Sequence, residues 1–246
     1  MASPILLPTP LPSGSLQLNQ LLTDPLNPFS SASFLHKSPS ASKPATQSDP
    51  QYRSIISQDE SGHLLSSISS SHRQNLLVLK ADNMTLQTLE DPISTFNALR
   101  TDTSAQKFIL DMAHKNQPLY YVVGLQSLQN PTRSKARIQV PSSRRDSKAD
   151  ISEGIFGVVV HKVKCLVGPP NEPHSLEDIP LQWSYHKLEQ EEEDPLEELQ
   201  LSIGLGEPLS ARELREMAGI VSEEDDDEST KGTHKTEDSE DDGSGY

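Results

Sequence analysis

The apolar positions fall into short runs separated by polar residues, and most of the regular ones lie between residues 73 and 221. Leu76-Leu-Val-Leu79 reads as a first short strand. Asp91-Pro92 has the form of a helix start, with Asp91 as N-cap and Pro92 in the first helical position. Ile93, Phe96 and Leu99 would then share one face. The clearest helix pattern runs over residues 103–115, where Ala105, Phe108, Ile109, Met112 and Ala113 make one stripe at i, i+3, i+4, i+7 and i+8. Asp102, Thr103 or Ser104 can cap it, and Asn116 and Pro118 end it.

Strands follow. Residues 119–125 are aromatic, β-branched and apolar, with polar residues on both sides. Residues 155–167 put Val159, Val163, Cys165 and Val167 on one face with His161, and Val158, Val160 and Leu166 on the other with Lys162 and Lys164. Residues 181–186 alternate, with Leu181, Trp183 and Tyr185 expected inward and Gln182, Ser184 and His186 outward. Leu199, Leu201 and Ile203 repeat the alternation. Ser210 and Glu213 form a capping box for a last short helix from Ala211, striped by Leu214, Met217, Ala218 and Val221.

These elements predict an α+β domain over residues 73–221. It would hold a small, mainly antiparallel sheet with two or three short helices, since neighbouring strands lack crossover helices. Composition sets the flanks. Nine prolines and ten serines in residues 1–50, and eight serines in residues 54–71, predict a disordered Pro/Ser-rich segment over 1–72. One apolar island within it, Leu16, Leu18, Leu21 and Leu22, reads either as a short docking motif or as a stray cluster. Residues 222–246 read as an acidic disordered tail.

Charge sharpens this division. The formal net charge is −15. Residues 188–246 carry 21 acidic and 4 basic side chains, whereas residues 1–187 carry 15 and 17. The body is therefore near neutral and the negative excess belongs to the last quarter. Within the body, residues 127–153 form a polar, basic insertion. Arg133, Lys135, Arg137, Arg144, Arg145 and Lys148 stand there against Asp146 alone among residues 132–148. The overall acidity, and the lack of an aromatic residue in that stretch for base stacking, argue against nucleic acid as partner. Anionic lipid or a protein partner fits the basic segment, and basic proteins fit the tail. Arg144-Arg145-Asp146-Ser147 resembles a basophilic kinase site, and the acidic contexts of Ser222 and Ser239 resemble acidophilic ones. A phosphate on Ser147 would weaken the basic segment, and phosphates on the tail would deepen its charge.

The chemistry-bearing residues do not assemble into a motif. No G-x-S-x-G elbow is present. Cys165 sits among valines, where a cysteine is ordinarily inert packing. His161 and Cys165 are four residues apart on one strand face. At about 3.3 Å per residue their backbones lie about 13 Å apart, too far to share a zinc ion. Gly204-Leu-Gly206 lies between a strand and a helix, but Leu209 replaces the third glycine of a dinucleotide loop. The acidic run at 223–228 lacks the glycine of an EF-hand. No catalytic residue, metal site or cofactor is expected, and a non-enzymatic role is the reading. In an enzyme, Cys165, His161 and His186 would be the first residues to consider. No run is long enough to span a bilayer as a helix. The first residues lack the basic and apolar regions of a signal peptide, and the single cysteine fits a reducing compartment. The expected location is the cytoplasm, with peripheral membrane association on activation.

One family resemblance covers residues 103–187. A helix leading into Pro118-Leu-Tyr-Tyr-Val-Val-Gly-Leu-Gln126, the basic insertion, Gly157-Val-Val-Val-His-Lys-Val-Lys164 and Asp178-Ile-Pro-Leu-Gln-Trp-Ser-Tyr185 together resemble the middle of fungal gasdermin-like proteins. The resemblance implies a twisted sheet with long insertions. It also implies that removal of a C-terminal inhibitory segment lets those insertions rearrange into membrane-spanning hairpins, with basic residues on acidic lipid. Arg133, Lys135, Arg137, Lys162 and Lys164 would be the lipid contacts, and the acidic tail the inhibitory segment. Residues 126–153 depart from the pattern, because they do not alternate apolar and polar as a membrane-inserting hairpin does. The reading is a regulated binding protein, membrane-acting in the gasdermin manner. The alternative is an acidic-tailed adaptor for basic partners.

Overall fold

The computed structural model describes residues 3–36, 44–65, 76–135, 149–150, 152–168, 183–188 and 199–220, with residues 149 and 150 described by their backbone alone. The elements within them are β1 (Ile5–Pro12), β2 (Gln20–Leu22), β3 (Ser33–Leu35), β4 (Ala45–Pro50), β5 (Arg53–Gln58), β6 (Leu64–Leu65), β7 (Leu76–Lys80) and β8 (Asn83–Thr88). Then come α1 (Pro92–Arg100), α2 (Thr103–His114), β9 (Leu119–Gln129), β10 (Thr132–Lys135), β11 (Ala149–Asp150), β12 (Gly154–Gly168), β13 (Ser184–Lys187), β14 (Gln200–Pro208) and α3 (Ala211–Met217). The fold class is α+β, mainly antiparallel sheet with three short helices, as the pattern predicts.

The two longest strands make the spine. β9 and β12 pair antiparallel from Gly154 opposite Leu128 to Val163 opposite Leu119. They lie at the centre of a nine-stranded sheet. Different partners flank the two ends of the spine. At the start of β9, β2 and then β3 extend the sheet, and at its end β8 and then β4 do so. β14 and β13 flank the second half of β12, while β1 flanks its first half. A second, five-stranded antiparallel sheet has the order β11-β10-β7-β5-β6.

Alternation along the spine supplies a core on each face of the larger sheet. Tyr121, Val123, Val159 and Val163 face α1 and α2, meeting Phe96, Leu99, Ala105, Ile109 and Met112. Val122, Val158 and Val160 face the other way, onto Leu7, Leu16, Leu22, Leu209 and Leu214. A third core joins the sheets, with Ile56, Leu64, Leu77 and Leu79 packed against Met84, Leu128 and Phe156. The helices start as their sequences require. Asp91 accepts a hydrogen bond from the Ser94 backbone, Asp102 accepts from Ser104 and Ala105, and the Ser210–Glu213 capping box is complete.

The structure differs from the pattern in four places. First, the Pro/Ser-rich segment over 1–72 holds six strands, β1–β6. Pro8 and Pro10 are accommodated because β1 is an edge strand. It pairs with β12 only through Ile5, Leu6, Leu11 and Pro12, with an irregularity between, so neither proline has to donate to the ladder. Gly154 permits the close approach, since a Cβ there would lie 2.1 Å from the Leu11 carbonyl oxygen. The apolar island is core, with Leu16, Leu21 and Leu22 almost fully buried.

Second, the inward and outward residues of β13 are exchanged. Ser184 and His186 stand opposite Ile203 and Leu201, both buried on the helix side, and Tyr185 is 53% exposed. Polar residues can face that side because Gln106 of α2 supplies a hydrogen-bond partner. Leu181 lies outside the described residues. Third, Ile93 is 49% exposed although it shares the spacing of Phe96 and Leu99. In the same way Leu214 alone is buried in α3, where Met217 is exposed, and Val221 lies outside the described residues. Fourth, residues 127–153 are not wholly a connection. β9 runs on to Gln129, and β10 and β11 form a hairpin.

Candidate functional site

The basic stretch begins on a strand and returns on one. Thr132 pairs with Asp150 and Arg133 with Ala149, so residues 136–148 connect the two arms of a single hairpin. β10 in turn pairs with β7 along Thr132–Lys80, Arg133–Leu79, Ser134–Val78 and Lys135–Leu77. Directly opposed residues share a side of a sheet. Arg133 and Lys135 therefore lie on the side of Leu79 and Leu77, at the sheet margin, where Arg133 is half-buried and Lys135 exposed. Arg137, Arg144, Arg145 and Lys148 lie outside the described residues, as do Ser147, Ser222 and Ser239.

Lys162 and Lys164 belong to the other sheet, on β12. Lys162 makes an ion pair with Glu213 of α3. The Lys162 ammonium and the Ser210 backbone N–H hold the Glu213 carboxyl down at about 2. Lys162 thus ties α3 to the spine. Lys164 is exposed, and beside it on the same strand Leu166 is 49% exposed. The structure therefore gathers Arg133 and Lys135 at the hairpin and sets Lys162 and Lys164 on the spine strand.

The remaining polar residues make contacts that fix the fold. Gln106 Nε2 donates to the Arg100 carbonyl at 2.9 Å and lies 2.9 Å from His186 Nδ1. An amide nitrogen cannot accept, so Nδ1 accepts and the proton sits on Nε2, which lies 2.9 Å from Ser184 Oγ. In this tautomer His186 cannot take the Ser184 proton. Burial, and then the Arg100 guanidinium, push its pKa down and favour the neutral ring. His161 donates through Nδ1 to the Gly206 carbonyl at 2.9 Å. Cys165 is half-buried against the helix-side core, and burial pushes its thiol pKa up. That is the opposite of what a nucleophile needs. Among the described residues, no three His, Cys, Asp or Glu side chains converge as a metal site would, and no helix is long and apolar enough to cross a membrane.

A feature without a sequence motif lies where the two sheets meet. An open pocket of about 330 Å³ is lined by Gln51, Tyr52, Arg53, Lys80, Ala81, Asp82, Asn130 and Thr132. Its residues come from the β4–β5, β7–β8 and β9–β10 turns and the adjoining ends of β5, β7 and β10, which only the tertiary fold brings together.

No protein-family model matches the chain, and no curated protein matches it. Among solved structures, a bacterial gasdermin from Bradyrhizobium tropiciagri is 14% identical to it, covering 65% of this chain and 82% of that chain, with a TM-score of 0.31. The resemblance is to a gasdermin, and it is weak. It concerns a bacterial protein and gives no support to a specifically fungal type.

Proposed function

We propose that this protein is a non-enzymatic, regulated binder of anionic membrane surfaces, acting through the basic hairpin of β10 and β11. The observation that supports this reading is the hairpin itself. A stretch with six basic residues against one acidic residue is closed by a strand pair at the margin of a sheet, so its charges belong to one hairpin, Arg133 and Lys135 on β10 and the other four on the connection. Each Lys or Arg near an anionic surface contributes about 1 kcal/mol. A net of five such charges gives about 5 kcal/mol, which is sub-millimolar affinity, weakened by salt as the Debye length shrinks.

In this reading the acidic tail, carrying most of the chain's negative excess, competes with lipid for the hairpin. Membrane action in the gasdermin manner is the stronger form, in which strands rearrange once the tail is removed.

The test compares the full chain with a chain ending at residue 221. Both are mixed with vesicles of zwitterionic lipid alone, or with phosphatidylserine added. Salt-sensitive co-sedimentation with the anionic vesicles, enhanced by removal of the tail, is expected. Dye leakage would add the gasdermin form. Absence of binding at low salt by both chains would overturn the reading. Capture of basic proteins that needs the tail, without lipid binding, would favour the adaptor.

A further inference from the structure

We propose that the pocket at the junction of the two sheets binds a small phosphate monoester carried on a polyol. Arg53 of β5 and Lys80 of β7 are directly opposed cross-strand partners. Like charges in that position are destabilising, and among the described residues neither cation makes an ion pair that would offset this. Thr132 of β10 stands on the other flank of Lys80. Arg53, Lys80 and Thr132 therefore form a row across three adjacent strands on one side of the sheet. With strands about 4.8 Å apart, a phosphate between the two cations can take hydrogen bonds from both, and the Thr132 hydroxyl extends the row.

The turn residues next to this row, Asp82 and Asn130, bring different chemistry to the pocket. Asn130 Nδ2 donates to Asp82 Oδ2 at 2.8 Å, which leaves the second oxygen of the carboxylate to accept from a ligand. A bare anion would be repelled there, whereas an ester bearing hydroxyl groups would be held. The lining carries two cations and one carboxylate, which suits an anionic group at one end and hydroxyl donors at the other.

The frame is preformed. Ala81 N–H donates to the Tyr52 carbonyl, Gln51 N–H to the Asp82 carbonyl, and Asp82 N–H to the Gln129 carbonyl, at 3.0, 2.8 and 3.0 Å. Gln51 and Asn130, which turn the chain at two corners, adopt left-handed backbone with φ of 58° and 48°. Such conformations cost non-glycine residues free energy and are held only where the surroundings fix them. The volume lies within the usual range for a small-molecule site. The inference stands independently of the hairpin reading, since none of the lining residues belongs to the connection between β10 and β11.

The experiment is titration of the full chain with glycerol 3-phosphate and with inorganic phosphate, followed by calorimetry and by amide NMR shifts. Saturable binding that shifts Arg53, Lys80 and Thr132, with glycerol 3-phosphate the tighter ligand, is expected. Arg53→Gln and Lys80→Gln should each weaken it about tenfold, as loss of one charge-assisted hydrogen bond implies. Lys80→Arg should retain it, and Asp82→Asn should erase the preference for the ester over inorganic phosphate. Thermal melts of the variants report that they are folded. No saturable binding at millimolar ligand, or binding indifferent to Arg53→Gln and Lys80→Gln, would overturn the proposal. So would binding lost on neutralising Arg144 and Arg145, which would move the site to the hairpin. Vesicles containing phosphatidic acid give the last arm. Capture abolished by Lys80→Gln identifies a lipid as the carrier of the phosphate, and capture unaffected by it identifies a soluble ester.

Discussion

Removing one oxygen atom tests whether the Pro/Ser-rich N-terminal segment is part of the fold. Tyr121 is fully buried on the spine strand, and its hydroxyl donates to Asn19 Oδ1 at 2.9 Å. Asn19 is buried too, with backbone φ of 65°. Its own N–H donates to the Val122 carbonyl, and its side-chain amide donates to the His36 carbonyl, both at 3.0 Å. One asparagine therefore ties the N-terminal segment to the centre of the sheet. Tyr121→Phe keeps the ring and its edge contact with Phe96, at 5.1 Å between centroids, but strands a buried acceptor. The expected loss is about 1–3 kcal/mol, or roughly 2–4 °C in Tm per kcal/mol for a chain of this size. Urea unfolding at unchanged m-value measures it. Tyr120→Phe is the control, because Tyr120 is only half-buried and makes no side-chain hydrogen bond among the described residues; it should cost less than about 0.5 kcal/mol. Asn19→Gly removes the acceptor while tolerating the positive φ, and in that background the cost of Tyr121→Phe should largely vanish. A Tyr121→Phe cost no greater than the control, or one unchanged by Asn19→Gly, would refute the docking of this segment.

Three further outcomes follow from particular contacts. Gly154→Ala should detach β1, because its Cβ would lie 2.1 Å from the Leu11 carbonyl oxygen; amide exchange should rise at Leu6 and Leu11 while the β9–β12 pairing stays protected. The Glu213 carboxyl lies near 2 against an ordinary 4.5, so its contribution is present above the ordinary value and lost as pH falls toward the lower one. Because the pair is more than a third exposed, solvent screens it to below about 1 kcal/mol; Glu213→Gln should flatten the stability profile in that acid window. His186 is held below its ordinary value, so its stabilising effect should decline as pH falls below about 6.5, and His186→Gln should remove that decline from an unfolding series measured against pH.

Much of the secondary structure was legible because it is local. Asp91, Asp102 and Ser210 cap helices through neighbours two or three residues away, and the valines of β12 sort onto two faces by alternation alone. The N-terminal strands were not legible. Their prolines argue against strand locally, and only pairing with distant residues such as Ile155 and Val158 shows how an edge strand accommodates them. The orientation of β13 escaped for a related reason. Its Trp-Ser-Tyr-His alternation points the aromatics inward, whereas the partner that settles the matter, Gln106, lies 80 residues away. The basic stretch was visible as charge, but its closure into a hairpin depended on Thr132 meeting Asp150. The corner pocket had no sequence signal, because Arg53, Lys80 and Thr132 are adjacent only across strands.

In the proposed function the hairpin charges carry anionic-surface binding. The most direct measurement is the affinity of the full chain and of an Arg144→Gln, Arg145→Gln, Lys148→Gln variant for phosphatidylserine vesicles across a salt series. The variant should lose about 3 kcal/mol of binding at low salt and show a shallower salt dependence. Equal affinity and equal salt dependence for the two proteins would contradict it.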